Sequence, residues 1–211
     1  GEGGAGVVSN INNLLYDHNF ERLNAWTSMI GNSSDIYIKS YSYETRAKFG
    51  SKILRMQSNQ ASCAENGIYQ QTPVLPKGRY CFSVYLRTVT DFTGTDAGAF
   101  IRVADTAGNI LGVSERLDKK DSDYTRLIVP FELSDAQKVN VQILVNGSGT
   151  IYADGAQLEN NPYANAYNML ENGNFERDAQ KWITTPEVTT STASFNMSKS
   201  IKLTSALVAD S

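Results

Sequence analysis

The chain has 211 residues, with 19 lysine and arginine residues against 22 aspartate and glutamate residues, and a formal net charge of −3. Charges of both signs are interspersed and form no basic stripe, which argues against nucleic acid or an anionic membrane as a partner. No apolar run approaches the roughly 20 residues that span a bilayer. Cys63 and Cys81 are the only cysteines and lack the CxxC spacing of a zinc site, so one disulfide or two independent buried thiols remain open, and we favour the thiols.

One ten-residue stretch occurs twice along the chain. Residues 13–22 read NLLYDHNFER and residues 168–177 read NMLENGNFER, and Trp26 corresponds to Trp182. This match predicts that both tryptophans are core anchors and not ligand-stacking rings. Self-similarity at a fixed period predicts tandem units. We therefore expect a linker or tag remnant over residues 1–11, one complete module over residues 12–166, and the N-terminal part of a second, truncated module over residues 167–211.

The truncated second copy would be too short to bury its own apolar side chains. A third of a module cannot close a sandwich, so it would leave strand edges and apolar side chains exposed. We expect residues 168–211 to cover them in a chain-to-chain contact, with packing on the first module as the alternative.

Alternation of apolar and polar side chains predicts strands in the first module. The clearest run is Arg79–Val89, in which Tyr80, Phe82, Val84 and Leu86 point one way, towards a core. Further strands are predicted over residues 35–43, 51–57, 68–71, 99–104, 124–133, 138–145 and 150–158, with a turn over 105–109 and a hairpin turn over 146–149.

No segment shows a helical period over 11 or more residues. Short strands separated by turn signals predict an all-β sandwich or barrel. With about nine strands in one module, a two-sheet jelly-roll β-sandwich is the favoured form.

Several motifs in this order resemble one known family. They are NLLYDHNFER, the tryptophan after it, SKILRM, IYQQ, PKGRYCFSVYLR, YTRLIVPFEL and GTIYADGAQLE. Together they resemble the calcium-containing jelly-roll carbohydrate-binding modules, galactose-binding-domain-like, that are appended to xylanases and glucanases. Modules of this type also recur in tandem in large bacterial cell-surface proteins.

The resemblance covers residues 12–166 and restarts at residue 168. It implies a noncatalytic module of a secreted or cell-surface bacterial protein, extracellular or associated with the cell wall, that binds a polysaccharide or other glycan on a strand face. The alternative is a spacer or adhesion module with the same fold and no sugar ligand.

The candidate sugar-binding residues lie on predicted strands. Proteins bind sugars with aromatic rings against CH faces and with planar amide and guanidinium groups on hydroxyls. If the apolar side of Arg79–Val89 faces the core, the opposite side presents such groups, and neighbouring strands add more. The expected carbohydrate-binding residues are Tyr85, Arg87, Gln142, Gln70 and Arg102. Ordinary decoration of a solvent-facing sheet is the competing explanation.

The resemblance also implies a structural Ca²⁺ ion. Calcium takes about 6–8 oxygen ligands from carboxylates and carbonyls. Carried over by motif, Glu21 and Asp154 are the side-chain ligands, with weaker backbone contributions near Asn19 and in the loop Lys48–Ser51. The alternative is that Glu21 caps a turn or pairs with a base such as Arg22.

Catalysis is not expected. His18 is the only histidine, and its counterpart in the second copy is Gly173, so the repeated motif does not require an imidazole. A Ser–His or Cys–His nucleophile would depend entirely on His18. The chain contains no P-loop and no HExxH motif.

Overall fold

The computed structural model describes residues 13–20, 25–29, 47–49 and 52–167, and the backbone of residues 36–42. These residues form strands and no helix, which confirms the all-β prediction. The strands are β1 (Thr27–Ser28), β2 (Ile36–Ser42), β3 (Lys52–Ser58), β4 (Asn66–Gln71), β5 (Gly78–Thr88), β6 (Thr93–Asp105), β7 (Ile110–Val113), β8 (Thr125–Leu133) and β9 (Val139–Glu159).

Three sequence predictions lie outside these residues. The first is the linker or tag remnant over residues 1–11. The second is the truncated copy over residues 167–211, apart from its first residue, together with its chain-to-chain contact. The third is the role of Glu21. No helix long and apolar enough to cross a membrane occurs in the part of the chain that the structure describes.

The strands form two antiparallel sheets that share β9. Sheet 1 has the order β1-β4-β9-β6-β7 and uses the first half of β9, from Val139 to Ser148. Sheet 2 has the order β2-β3-β9-β5-β8 and uses the second half, from Gly149 to Glu159. One strand therefore forms the centre of both sheets.

The continuous β9 strand corrects one prediction. Residues 146–149 have the composition of a hairpin turn, yet they do not fold the chain back on itself. Instead, Asn146 pairs with Gly98 in sheet 1 and Gly149 pairs with Ser58 in sheet 2, so the segment carries the strand from one sheet to the other. Gly147 makes this possible with φ of +80°, a conformation that side chains with a Cβ rarely adopt.

The core lies between the sheets and follows the predicted alternation. Tyr80, Phe82, Val84 and Leu86 of β5 are buried in it, as predicted. Trp26 is also fully buried and packs on Phe20, with ring centroids 5.4 Å apart, which confirms Trp26 as a core anchor. The odd-numbered residues of the first half of β9 enter the same core: Val139, Val141, Ile143 and Val145.

We predict that Gly147→Ala destabilises the fold much more than Gly108→Ala, which is the matched control. Both glycines have positive φ, but a Cβ at position 108 meets no atom within 4 Å, whereas one at position 147 would lie 2.4 Å from the Thr93 carbonyl oxygen. The backbone strain alone costs about 1–2 kcal/mol, so the free energy of unfolding in urea should fall by about that amount for Gly108→Ala. A loss for Gly147→Ala no larger than for the control would contradict the crossing described for β9.

Candidate functional site

The structure divides the predicted sugar-binding residues between the two outer faces of the sandwich. Arg102 and Gln142 lie on the outer face of sheet 1, whereas Tyr85 and Arg87 lie on the outer face of sheet 2. The prediction that all of them share one strand face is therefore wrong. Alternation showed which side of a strand each residue occupies, but not to which sheet that strand belongs.

Gln70 lies on neither outer face. It is 3% exposed and shares the inner side of β4 with Ile68, a core residue. Its amide nitrogen donates to the Tyr16 carbonyl and its amide oxygen accepts from the Tyr16 N–H, both at 3.0 Å. Gln70 therefore holds the N-terminal segment to the sheet and has no surface for a ligand.

Arg102 and Gln142 form the centre of the outer face of sheet 1. Tyr69 of β4, Gln142 of β9 and Arg102 of β6 are directly opposite one another on three adjacent strands. The Nε of Arg102 donates to Oε1 of Gln142 at 2.7 Å. One aromatic ring, one planar amide and one guanidinium thus lie side by side across about 10 Å of sheet.

A second row of polar groups lies beside the first. Gln71 and Asn140 are paired on the same face, and the Gln71 amide nitrogen donates to Asn140 Oδ1 at 3.2 Å. We name the outer surface of sheet 1 made by these residues the Arg102 face, and it comprises Tyr69, Gln71, Arg102, Asn140 and Gln142.

Residues outside the strands orient the Arg102 face. Nη1 of Arg102 contacts Oε1 of Glu65 at 3.0 Å, and the Arg102 side chain is 12% exposed against 60% for Glu65. Because Glu65 is so exposed, solvent screens this ion pair and its main effect is to orient the guanidinium. At one end of the face the guanidinium of Arg116 lies 5.6 Å from the centre of the Phe100 ring.

The sequence reasoning missed Tyr69 and Glu65. Tyr69 faces outwards, whereas its neighbour Gln70 faces inwards. Ile68 lies on the same side of the strand as Gln70, so its apolar side chain was the signal that Gln70 faces the core and Tyr69 does not. Glu65 lies before β4 with φ of +49°, and its N–H donates to Asn146 Oδ1. No local pattern marks Glu65 as a partner of an arginine 37 residues away.

The outer face of sheet 2, which we name the Tyr85 face, comprises Tyr85, Arg87, Arg126, Tyr152 and Asp154. The chain itself covers the ring of Tyr85: the Arg126 guanidinium lies 5.1 Å and the Lys48 ammonium 5.4 Å from its centre. The Phe49 ring contacts it edge-on at 5.2 Å. A sugar could stack on Tyr85 only by displacing one of these groups.

Arg87 is likewise engaged by its own chain. Its Nε donates to the Asp121 carbonyl at 3.2 Å, and its guanidinium lies 5.9 Å from the Tyr152 ring. Tyr124 lies in the same cluster, and burial, followed by the nearby Asp154, raises the pKa of its phenol. The side chains of this cluster therefore contact other residues of the same chain and contribute to the packing of the fold.

Segments from both ends of the module close the rest of the Tyr85 face. His18 is buried, and its Nδ1 is hydrogen-bonded to the hydroxyl of Tyr167. Glu159 is 1% exposed and accepts hydrogen bonds from the backbone and side chain of Asn165 at 3.0 and 2.8 Å. A buried carboxylate that accepts several N–H groups fixes a loop, and Glu159 fixes the one that follows β9.

Asp154, a predicted calcium ligand, is fully buried and bonded to backbone amides. Its Oδ2 accepts from the N–H groups of Lys48 and Phe49 at 2.9 and 2.8 Å, and its Oδ1 accepts from Gly155 at 3.0 Å. Two N–H groups point at Oδ2 and take the place that a cation would occupy at that oxygen, so any contact with calcium would have to be made through Oδ1.

The other predicted ligands leave the calcium prediction untested. Asn19 is part-exposed, and the carbonyl of its neighbour His18 accepts from the N–H of Ala156 at 2.8 Å. Glu21 lies outside the described residues. Among the described residues, no group of three or more His, Cys, Asp or Glu side chains could hold a metal ion.

The two cysteines form no disulfide, which agrees with the separate thiols that we favoured. Cys63 is part-exposed and Cys81 is buried on β5. Burial, reinforced by the Glu159 carboxylate and opposed by Arg126, raises the pKa of the Cys81 thiol from 9.0 to about 11. The protonated thiol therefore favours the folded state below about pH 9, and this contribution is lost as the pH rises towards 11.

Comparison with solved structures gives the same fold in carbohydrate-binding modules. The xylan-binding family 22 module of a Paenibacillus barcinonensis xylanase is 14% identical, with a TM-score of 0.51 over 72% of this chain and 98% of that one. TmCBM61, solved with β-1,4-galactotriose, is 13% identical, with a TM-score of 0.50 over 71% and 99%.

A larger protein shows the same likeness. The N-terminal modules of the Clostridium thermocellum endo-1,4-β-D-xylanase 10B, solved with xylohexaose, are 12% identical, with a TM-score of 0.53 over 72% of this chain. The chain spans only 29% of the length of that structure. These likenesses confirm the predicted jelly-roll β-sandwich. No protein-family model and no curated protein matches the chain.

We predict that Asp154→Asn lowers the free energy of unfolding by about 1–2 kcal/mol, because charge-assisted hydrogen bonds to two loop amides become neutral ones. The measurement is urea unfolding in EDTA, so that bound calcium cannot contribute. Repeating it with added calcium tests the ligand role. A loss that becomes larger with calcium would restore Asp154 as a calcium ligand, and an equal loss would remove it from the predicted set.

We predict that in a Cys63→Ala variant the rate of Cys81 modification by iodoacetamide keeps rising up to about pH 11. At pH 8 the reaction should be about a hundredfold slower than for a thiol of pKa 9, because only the thiolate reacts. Mass spectrometry follows the modification, and Cys81→Ala, which leaves Cys63, is the control. A Cys81 rate that levels off near pH 9 would contradict the structural assignment.

Proposed function

We propose that this chain is a noncatalytic carbohydrate-binding module that binds a polysaccharide on the Arg102 face. The observation that carries the proposal is the row of Tyr69, Gln142 and Arg102, with the 2.7 Å hydrogen bond that aligns the amide with the guanidinium. Such a row offers a ring for the CH face of a sugar and directional donors and acceptors for its hydroxyls.

The comparison between the two faces supports this choice. On the Tyr85 face the aromatic ring contacts Lys48, Phe49 and Arg126 of the same chain. On the Arg102 face Gln71 is exposed, and Tyr69 and Asn140 are part-exposed. A ligand can therefore reach Tyr69, Gln71 and Asn140 directly, whereas Gln142 is 6% exposed and the Arg102 side chain is 12% exposed.

The structural neighbours support a polysaccharide as the ligand class. They include a xylan-binding domain and structures in complex with xylohexaose and with β-1,4-galactotriose. Polysaccharides of this kind lie outside cells, so we also propose an extracellular or wall-associated location.

We predict that Arg102→Ala lowers the affinity for the bound polysaccharide at least about tenfold, the effect of losing one or two good hydrogen bonds. The measurements are affinity electrophoresis in gels that contain xylan or β-1,4-galactan, and calorimetry with xylohexaose and galactotriose. Gln142→Ala should have a similar effect.

The matched control is Arg87→Ala, which removes an arginine of similar exposure from the opposite face. It should leave the affinity unchanged. Loss of binding in Arg87→Ala but not in Arg102→Ala would place the site on the Tyr85 face. Failure of the unmodified protein to bind any glycan would favour the spacer or adhesion module.

A further inference from the structure

Glu65 places an exposed carboxylate at the border of the Arg102 face. It is the residue before β4, and its Oε1 accepts a hydrogen bond from Nη1 of Arg102 at 3.0 Å. The Glu65 side chain is 60% exposed, against 12% for Arg102. A ligand that approaches this edge of the guanidinium from solvent therefore meets the Glu65 carboxylate first.

The backbone of Glu65 is strained and is held in place by its surroundings. Its φ of +49° lies in the left-handed region, which residues with a side chain rarely adopt. Its N–H donates to Oδ1 of Asn146, and the next residue, Asn66, pairs with Val145 of β9. Strained residues other than glycine are often found at functional sites. Glycine would relieve this strain, so the backbone gives no reason for a glutamate at position 65.

The charges around Glu65 balance one another. The other groups of the Arg102 face carry no charge at neutral pH, and Val113, which pairs with Arg102 on its far side, is apolar and 56% exposed. At the end of the face, Arg116 and its neighbour Glu115 are both exposed and sum to zero. Of the residues that the structure describes, Glu65 is the carboxylate that pairs with Arg102. This pair is neutral, and its negative member is the more exposed one.

An acidic sugar has no favourable position on such a face. Its carboxylate would need the guanidinium, whose Nη1 is already bonded to Glu65, and it would lie beside the exposed carboxylate of Glu65. Like charges placed side by side across an interface oppose binding and discriminate against the wrong partner. A neutral sugar meets no such repulsion, and its hydroxyls can donate to Glu65, because an ionised carboxylate only accepts hydrogen bonds.

We propose that Glu65 restricts the Arg102 face to neutral polysaccharides and excludes those that carry uronic acids. The inference deepens the proposed function and rests on it, since it concerns the same face. Glu65 acts by covering one edge of the guanidinium and by placing a negative charge next to the ligand. Removal of that charge should admit acidic polysaccharides without loss of the neutral ones.

The experiment compares matched neutral and acidic ligands by calorimetry. One pair is xylohexaose and a xylohexaose that carries one glucuronic acid branch. The other is β-1,4-galactotriose and the same trisaccharide with one C6 hydroxymethyl group oxidised to a carboxylate. For the unmodified chain we expect the acidic member to bind about threefold more weakly or worse. The difference should shrink at high salt, because salt screens exposed charges.

Two variants separate the charge of Glu65 from its covering of the guanidinium. Glu65→Gln keeps the shape and an acceptor for Nη1 but removes the charge. It should raise the affinity for the acidic ligand about three- to fivefold and leave the affinity for the neutral ligand within about twofold. Glu65→Gly also uncovers Nη1 and should raise the affinity for the acidic ligand at least as much.

The matched control is Glu132→Gln, which removes an exposed carboxylate from β8 of sheet 2. It makes the same change in net charge and should leave both affinities unchanged.

Thermal unfolding tests whether Glu65 serves the fold instead. Glycine adopts positive φ without strain, and this gain offsets the lost ion pair and the greater freedom of the unfolded chain. Glu65→Gly should therefore have about the same melting temperature as the unmodified chain. A clear fall in melting temperature with unchanged selectivity would mean that Glu65 only stabilises the loop before β4, and it would overturn the proposal.

Three binding results would also overturn the proposal. They are tighter binding of the acidic ligand by the unmodified chain, an acidic-to-neutral affinity ratio that neither Glu65 variant changes, and an equal change of that ratio in Glu132→Gln. Failure of every form of the chain to bind either neutral ligand would instead overturn the proposed function and this inference together, so the two failures are distinguishable.

Discussion

The sharing of β9 between the two sheets is the constraint on which the rest of the structure depends. Its first half pairs with β4 and β6, and its second half pairs with β3 and β5. The register of these four strands therefore depends on how each of them pairs with one continuous segment. Gly147 and Gly149 allow the crossing because Thr93, Ala97 and the Phe92 ring approach them more closely than a Cβ would permit. A shift of one residue in β9 would turn the core side chains of both sheets outwards together.

The same strand explains why the two outer faces differ. β9 places a neutral amide, Gln142, at the centre of the sheet 1 face, and carboxylates, Asp154 and Glu159, on the sheet 2 face. Buried carboxylates need donors, and backbone amides of nearby loops provide them. The sheet 2 face is therefore closed by the chain's own segments. The sheet 1 face has no buried carboxylate at its centre, and Gln71 and Asn140 stay at least partly exposed beside the more buried Gln142 and Arg102.

The edge of the sandwich adds a third kind of surface. Where the chain crosses from sheet 1 to sheet 2 after β7, it does not pack tightly against the end of β5, and a cavity results.

The sequence by itself determined the all-β class, the inward side of β5, the burial of Trp26 and the outward position of Arg102 and Gln142. These features follow from the alternation of apolar and polar side chains and from the size of the apolar side chains, which are local properties of the chain. The local pattern also indicated that Gln70 faces inwards, because Ile68 lies on the same side of β4.

Only the tertiary structure decided which sheet each strand joins. Residues 146–149 have the composition of a hairpin turn, and the pairing partners on either side made them a crossing instead. The assignment of β5 to sheet 2 and β6 to sheet 1 likewise places Tyr85 and Arg102 on opposite faces. Period-2 patterning distinguishes the two sides of one strand, but membership of a sheet depends on hydrogen bonds between segments far apart in the chain, which no local pattern encodes.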